Sequence, residues 1–361
     1  MLKSRVPIIT TSTEKSCNMF EKYKYILIFV LPLTVSISFL AGGIVTFFPL
    51  LVFFILVPLL ELFLKPNYSE ISEEKRGEAS QDPFYSIVIY LMLPVQVGFL
   101  IWYLILMSND QNLLEFIGMS ISMGLMCGVI GINVGHELGH RMNRTERSIG
   151  VLLLLSSFDT HFKPYHNRGH HYDVGTRQDP ASARLNESIY IFWFRSHFGS
   201  YVKAWKIESS RMKIMNRKFY SFQNNMMVYT FLQLLLLGVI YFFLDLQGLY
   251  SYVLVSVIGI ILLETVNYIE HYGLTRNRNE EGKYEMVKLH HSWNSNHILG
   301  RILLFELSRH SDHHSKPDRP YQLLKSNKQA PQMPTGYPGM LLLTLIPPLF
   351  FRKVNPIIEK I

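Results

Sequence analysis

"GHELGH" occupies residues 135–140. His136 and His140 stand one helical turn apart with Glu137 between them. That is the zinc-protease pattern: two imidazoles on one helix face hold a metal, and the glutamate serves as base. The match is short, so the surrounding sequence has to arbitrate. The 361-residue chain has mean hydropathy +0.15, is 48% hydrophobic and carries 24 Phe, a composition that suits a membrane. A net charge of +8 then marks a side facing anionic lipid rather than a nucleic-acid surface. The two cysteines, Cys17 and Cys127, leave no disulfide framework and no iron–sulfur or rubredoxin-like unit within the chain. The opening "MLKSRVPIITTSTEKSCNMFEKYKY" is long and mixed, and shows no cleavable signal.

Six runs, at roughly 25–43, 44–64, 84–107, 113–135, 224–245 and 249–270, approach the ~20 apolar residues that cross a bilayer as helix. The first two meet at "AGG", which suits a tight antiparallel turn; a broken or re-entrant hairpin stays open for this pair. Residues 340–351, "MLLLTLIPPLFF", are too short and too proline-broken to count as a span. Lys and Arg set the orientation. Lys3, Arg5, Lys15, Lys22 and Lys24 precede the first run, and residues 136–223 hold 14 Lys/Arg against 7 Asp/Glu. The linkers "SNDQN" and "LQG" hold neither cation. The expected fold is therefore an all-α integral membrane protein, one domain over 1–361. It has six transmembrane helices, both termini inside, and a cytoplasmic histidine-rich helical cap from segments 136–223 and 271–324. Within that cap "ESIYIFWFRSHFGSYVKAW" (187–205) reads either as a helix in the interface plane or as packed cap.

All 14 histidines follow residue 135, so three runs and most of the fourth contain none. With this topology they fall on one membrane face. "HNRGHH" brings His166, His170 and His171; "NYIEHYG" brings His271; "RHSDHH" brings His310, His313 and His314. Added to His136 and His140 these make nine imidazoles, too many for one ion and suited to two with open positions. Imidazole sites take zinc, copper, iron or nickel. Each remaining ring N–H wants a carboxylate or carbonyl. Glu137, Glu270 and Asp312 adjoin the histidines in sequence, and Asp173 and Glu264 are near.

Five stretches carry a closer likeness: "GHELGHR" (135–141), "HFKPYHNRGHH" (161–171), "NYIEHYGL" (267–274), "HSWNSNH" (291–297) and "SRHSDHHSKPDRPYQLL" (308–324). In this order the chain resembles the alkane 1-monooxygenase family, the integral-membrane di-iron hydroxylases of the fatty acid desaturase-like superfamily. The resemblance implies that His136, His140, His166, His170, His171, His271, His310, His313 and His314 hold two irons. It implies activation of O2, insertion of one oxygen atom into the terminal C–H bond of a linear alkane, and placement in the inner membrane. It also implies electrons from a separate rubredoxin chain fed by an NAD(P)H-dependent reductase. His161, His197, His290, His291 and His297 are expected not to ligate the irons. Two positions depart from the family: Tyr165 stands where it has Glu before "HNRGHH", and Ser308 where it has Gln. Tyr165, like Glu137, Glu270 and Asp312, is placed beside the metal ligands, with Asp159 or Asp173 as a compensating carboxylate. Replacing Tyr165 by Glu is expected to leave the protein folded and to raise iron occupancy or activity.

A protease has no use for "HNRGHH" and "RHSDHH" on the same face. A metal transporter would place ligands near the membrane midplane, whereas runs one to three offer only Glu61. Hydroxylation or desaturation of acyl lipids or methylarenes is the remaining alternative, and neither chain length nor oligomeric state is legible.

Overall fold

The computed structural model describes residues 21–360; the tail bearing Lys3, Arg5, Lys15 and Cys17, and with it the signal-peptide reading, lies outside them. Five helices among the described residues are long and apolar enough to cross a membrane: Glu21–Ala41, Gly43–Phe63, Pro83–Met107, Leu113–Gly139 and Asn225–His271. The first pair joins at Gly42 and Gly43, both at positive φ (67° and 53°), and Glu115 accepts the Gly43 N–H at 2.7 Å. Backbone in this region is what glycine tolerates best, so "AGG" forms the expected turn.

The runs at 224–245 and 249–270 emerge as one 47-residue helix with a non-helical residue inside it, Asp245 at φ 53° and ψ −161°. The break folds the helix back on itself. Gln233 Nε2 donates to the Phe158 carbonyl at 2.9 Å, and Tyr252 donates to the Leu155 carbonyl at 2.7 Å. Nineteen residues of straight helix would hold Gln233 and Tyr252 about 28 Å apart, yet Leu155 and Phe158 are three residues from each other. The two arms are therefore antiparallel about Asp245.

Side-chain contacts sort the helix ends into two sides. Tyr25 with Glu306 (2.8 Å), Lys22 with Asp82 (2.8 Å), Glu61 with the Gly300 N–H (2.8 Å) and Glu208 with the Asn225 N–H (2.9 Å) share the side of His136 and His271. Glu115–Gly43 and Gln247–Asn109 mark the other. The fourth helix and the second arm of the long helix approach through glycines. A Cβ on Gly259 would lie 2.7 Å from the Cys127 Cβ and 3.1 Å from the Gly128 nitrogen. That close approach sets the spacing between His136 and His271 at their ends.

One part of the expected cap lies elsewhere. Helix Arg144–Ser156 does not stay on the histidine side but runs back along the fourth helix, with Gly150 against Gly135 and Ser157 Oγ donating to the Cys127 carbonyl at 3.1 Å. Its "VLLLL" at 151–155 is apolar enough for this depth. Thirteen residues are too few to be read as a span, and so the sequence reading missed it. Helix Ile189–Ile214 holds the 187–205 stretch. It turns Phe192, Ser196, Ser200 and Ala204 inward and leaves Ile191, Phe194, Phe198 and Val202 exposed along one face. Residues 340–351 fall in two short helices, Tyr337–Thr344 and Pro347–Ile358.

Candidate metal centre

Four elements deliver the nine histidines. His136 and His140 close the fourth helix, and His271 ends the long one. His310, His313 and His314 occupy the short helix His310–Ser315. His166, His170 and His171 lie across a π-helical turn, His166–His170, and the residue after it. π-Turns are rare and recur at functional sites, and this one has a visible consequence. Its wider turn faces His166 toward His171, five residues on, with their Nε2 atoms 2.9 Å apart.

The imidazoles form two groups whose ligand atoms lie within 4.8 Å of one another: His136, His140, His166, His171 and His313 in one, His170, His271, His310 and His314 in the other. Neither "HNRGHH" nor "RHSDHH" belongs to a single group; each contributes to both. His166 and His170 stand four apart in sequence, yet across the π-turn they fall in different groups.

The donor set fits a metal in each group. Nε2 faces Nε2 at 3.0 Å between His136 and His313, between His271 and His310, and between His310 and His314. Two metal–nitrogen bonds of about 2.1 Å at a right angle place their nitrogens roughly 3.0 Å apart. The Nε2 atoms of His140 and His170 are buried with no hydrogen-bond partner among the described residues. Burial, reinforced by the neighbouring imidazoles, holds His140, His166, His171, His310, His313 and His314 well below the ordinary histidine pKa. They are therefore neutral at pH 7, the form that ligates metals.

The carboxylates around the centre differ from those expected. Glu137 binds Arg141 (2.8 Å) and the Tyr321 N–H (3.2 Å), and Asp312 binds Arg319 and the Lys325 N–H; neither is bonded to a histidine. Asp173 pairs with Lys203, and Glu264 accepts from Asn267 at 3.3 Å. Glu270 does reach the centre: its Oε1 lies 3.2 Å from His310 Nδ1 and accepts from Tyr337 at 2.9 Å. The residue missed in the sequence is Asp179. Its Oδ2 lies 2.9 Å from His170 Nδ1 and accepts from Ser182 at 2.7 Å, while Oδ1 accepts from Tyr165 at 2.5 Å. Burial raises the Asp179 pKa, but His170 and these hydrogen bonds outweigh it and hold the carboxyl well below its usual range. Asp179 lies in "RQDPAS", outside every histidine stretch, and no spacing rule pointed to it.

Tyr165 is thus the hydroxyl partner of the carboxylate that orients His170, not a substitute for a lost one. Asp159 does not compensate for it either; it faces His161, with Oδ1 3.0 Å from the His161 Nδ1. The expected benefit of Tyr165→Glu reverses. Tyr165 is 2% exposed, and a second carboxylate there would face Asp179 without a cation. A cost of about 3–5 kcal/mol is expected for an uncompensated buried charge, read as a lower unfolding temperature and reduced iron content in detergent. An increase in either would reinstate the original expectation. Ser308, the second departure, donates to the Ser295 carbonyl at 2.8 Å and ties "HSWNSNH" to the His310 helix.

The five histidines set apart stay outside both groups. His161 and His197 gather with Asp159, His290 and His291 with Glu285, and His297 Nδ1 meets Ser295 Oγ at 3.0 Å.

Below the histidines lies a narrow apolar cavity of about 80 Å³. His136, His166 and His310 stand at one end, with Leu31, Phe53 and Leu125 among its walls. Leu125 precedes His136 by eleven residues, about 16 Å along a helix, so the space extends far into the apolar layer.

The fatty acid desaturase family profile matches residues 112–343. An alkane 1-monooxygenase of Ectopseudomonas oleovorans is 36% identical over 344 residues, 93% of this chain and 85% of that one. Alkane 1-monooxygenase 1 of Alcanivorax borkumensis is 36% identical over 304 residues, 83% of this chain and 74% of that one. The hydroxylase component of a Pseudomonas putida xylene/toluene monooxygenase is 30% identical over 290 residues, 75% of this chain and 73% of that one. With matched histidine stretches, a helical membrane frame and relatives over most of its length, the chain belongs to the fatty acid desaturase family, in its alkane 1-monooxygenase branch.

Proposed function

We propose that this chain is a membrane-bound non-haem monooxygenase that holds two irons, one in each histidine group, and hydroxylates the terminal carbon of linear alkanes to primary alcohols. Dioxygen is the co-substrate, and electrons come from a separate rubredoxin fed by an NAD(P)H-dependent reductase. The observation that carries the reading is the cavity: an apolar space sunk into the helices that ends on histidines of both groups. When bound, the irons supply dioxygen activation and transfer of one oxygen atom to carbon.

The chain's own residues do the rest. Leu31, Phe53, Leu125 and Leu303 line a path that a hydrocarbon enters end-on and that excludes water. A methyl C–H bond is stronger than a methylene one, so terminal selectivity has to come from positioning, and a channel running down to the histidines presents the chain end first. Among the described residues lining the cavity there is no Lys or Arg to anchor a carboxylate or phosphate, which favours an uncharged chain over an acyl substrate. Asp179 orients His170, and fixing the ring tautomer in this way raises ligand basicity; Glu270 lies 3.2 Å from His310 Nδ1. The topology we assign is six crossings, one for each arm of Asn225–His271, with both termini and the histidines on the cytoplasmic side of the inner membrane. The basic residues that flank the histidine-side ends support it.

The test is reconstitution of the purified chain with rubredoxin, its reductase and NAD(P)H, followed by product analysis over linear alkanes, methylarenes and acyl lipids. Primary alcohols from alkanes are expected as the main products. Benzylic alcohols in preference to them would move the assignment toward the xylene/toluene relative, and alkenes from acyl lipids toward desaturation.

A further inference from the structure

Beside the nine-histidine centre, three elements meet at a second group of ligands. Asp159 and His161 follow the re-entrant helix, His197 lies on Ile189–Ile214, and Glu264 lies on the long helix. A carboxylate oxygen of Asp159 and one ring nitrogen from each histidine lie within 4.8 Å of one another. Glu264 Oε1 is 3.9 Å from His197 Nδ1. Phe162 separates this group from the main centre, stacking on His166 at 4.6 Å and meeting His136 edge-on at 5.7 Å.

Hydrogen bonding in this group leaves donor atoms unused. Ser200 gives its proton to the His197 carbonyl at 2.7 Å, so the 3.1 Å contact between Ser200 Oγ and His161 Nε2 has the imidazole as donor. The His161 Nδ1 then points at Asp159 Oδ1 from 3.0 Å. Asp159 is 1% exposed, and neither of its oxygens has a hydrogen-bond partner among the described residues. Two bare acceptors so close need a positive centre between them. A proton shared by Nδ1 and Oδ1 serves that contact alone and leaves the buried Oδ2 unserved. One divalent ion serves all three residues.

We infer that Asp159, His161 and His197, with Glu264 as a fourth donor, form a binding site for a first-row divalent cation such as zinc, separate from the nine-histidine centre. Two imidazoles and one or two carboxylates are a usual zinc set, with donor atoms roughly 3.4 Å apart when bound. The donors here close by about an ångström through side-chain rotation. Ser200, accepting the other ring N–H of His161, orients it as partners of metal-bound histidines do. The His197 side chain is 28% exposed and gives the ion a way in. A bound ion would tie the re-entrant segment to two helices and fix Phe162, which also lines the apolar cavity.

The test uses the full chain loaded with iron and equilibrated with zinc, with both metals counted per polypeptide. One tightly held zinc with iron retained is expected, along with a rise in unfolding temperature. The double variant Asp159→Asn, His197→Gln is expected to keep its iron and lose both the zinc and the temperature rise. Cobalt in the wild-type chain gives an arm that needs no variant, and the intense visible bands of four-coordinate cobalt are expected. The inference is overturned by no zinc on the iron-loaded wild type, by equal zinc on the variant, by zinc uptake matched by iron loss, or by bound cobalt without those bands.

Discussion

Replacing His310 by alanine is expected to remove one iron per chain and to lower alkane hydroxylation by more than about 100-fold. His310 is central to the four-histidine group: its Nε2 lies 3.0 Å from that of His271 and 3.0 Å from that of His314, and its Nδ1 faces Glu270. Loss of a residue that merely orients a ligand typically costs 10–100-fold in affinity or activity, so loss of the ligand itself should exceed that. The five-histidine group shares no ligand with the four-histidine group and should retain its iron. His297→Ala is the control, because His297 meets Ser295 and belongs to neither group; it should keep both irons and most of the activity. Iron content and alcohol formation measured on the same samples check both halves. Equal iron loss in the two variants would refute the division between ligands and non-ligands.

Asp179→Ala is expected to be nearly as damaging, although Asp179 touches no iron position. Its removal leaves His170 Nδ1, the Tyr165 hydroxyl and the Ser182 hydroxyl without their buried partner. Each such orphan costs about 1–3 kcal/mol, and the free rotation of His170 should weaken metal binding by about 10–100-fold. Asp179→Asn retains the shape and one acceptor oxygen, so it should fall between wild type and alanine. Iron dissociation into a chelator, followed beside thermal unfolding, separates the two effects. Release as slow as wild type from a folded Asp179→Ala chain would show that Asp179 only packs the site.

His170 and Asp179 also show where sequence reading succeeds and where it stops. The nine histidines were legible because they occupy short local stretches beyond the apolar runs, a pattern that survives without coordinates. Their division was not legible, because it depends on the π-turn at His166–His170, and no propensity rule places such a turn. Glu270 could be named as a candidate because it adjoins His271 in sequence. Asp179 was missed because its contact with His170 is made by the loop after the histidine stretch. The apolar runs gave the helix positions to within a few residues, and Asp245 breaks Asn225–His271 between the last two of them. The re-entrant Arg144–Ser156 was hidden in a segment whose charges suggested an aqueous cap.

Whether the nine histidines hold two irons is read from the iron content per polypeptide of the purified, iron-reconstituted chain, with the iron environment followed by X-ray absorption. Two irons per chain are expected, with nitrogen neighbours at about 2.1 Å and no sulfur neighbours. A single metal per chain, or iron bound outside a histidine environment, would contradict this.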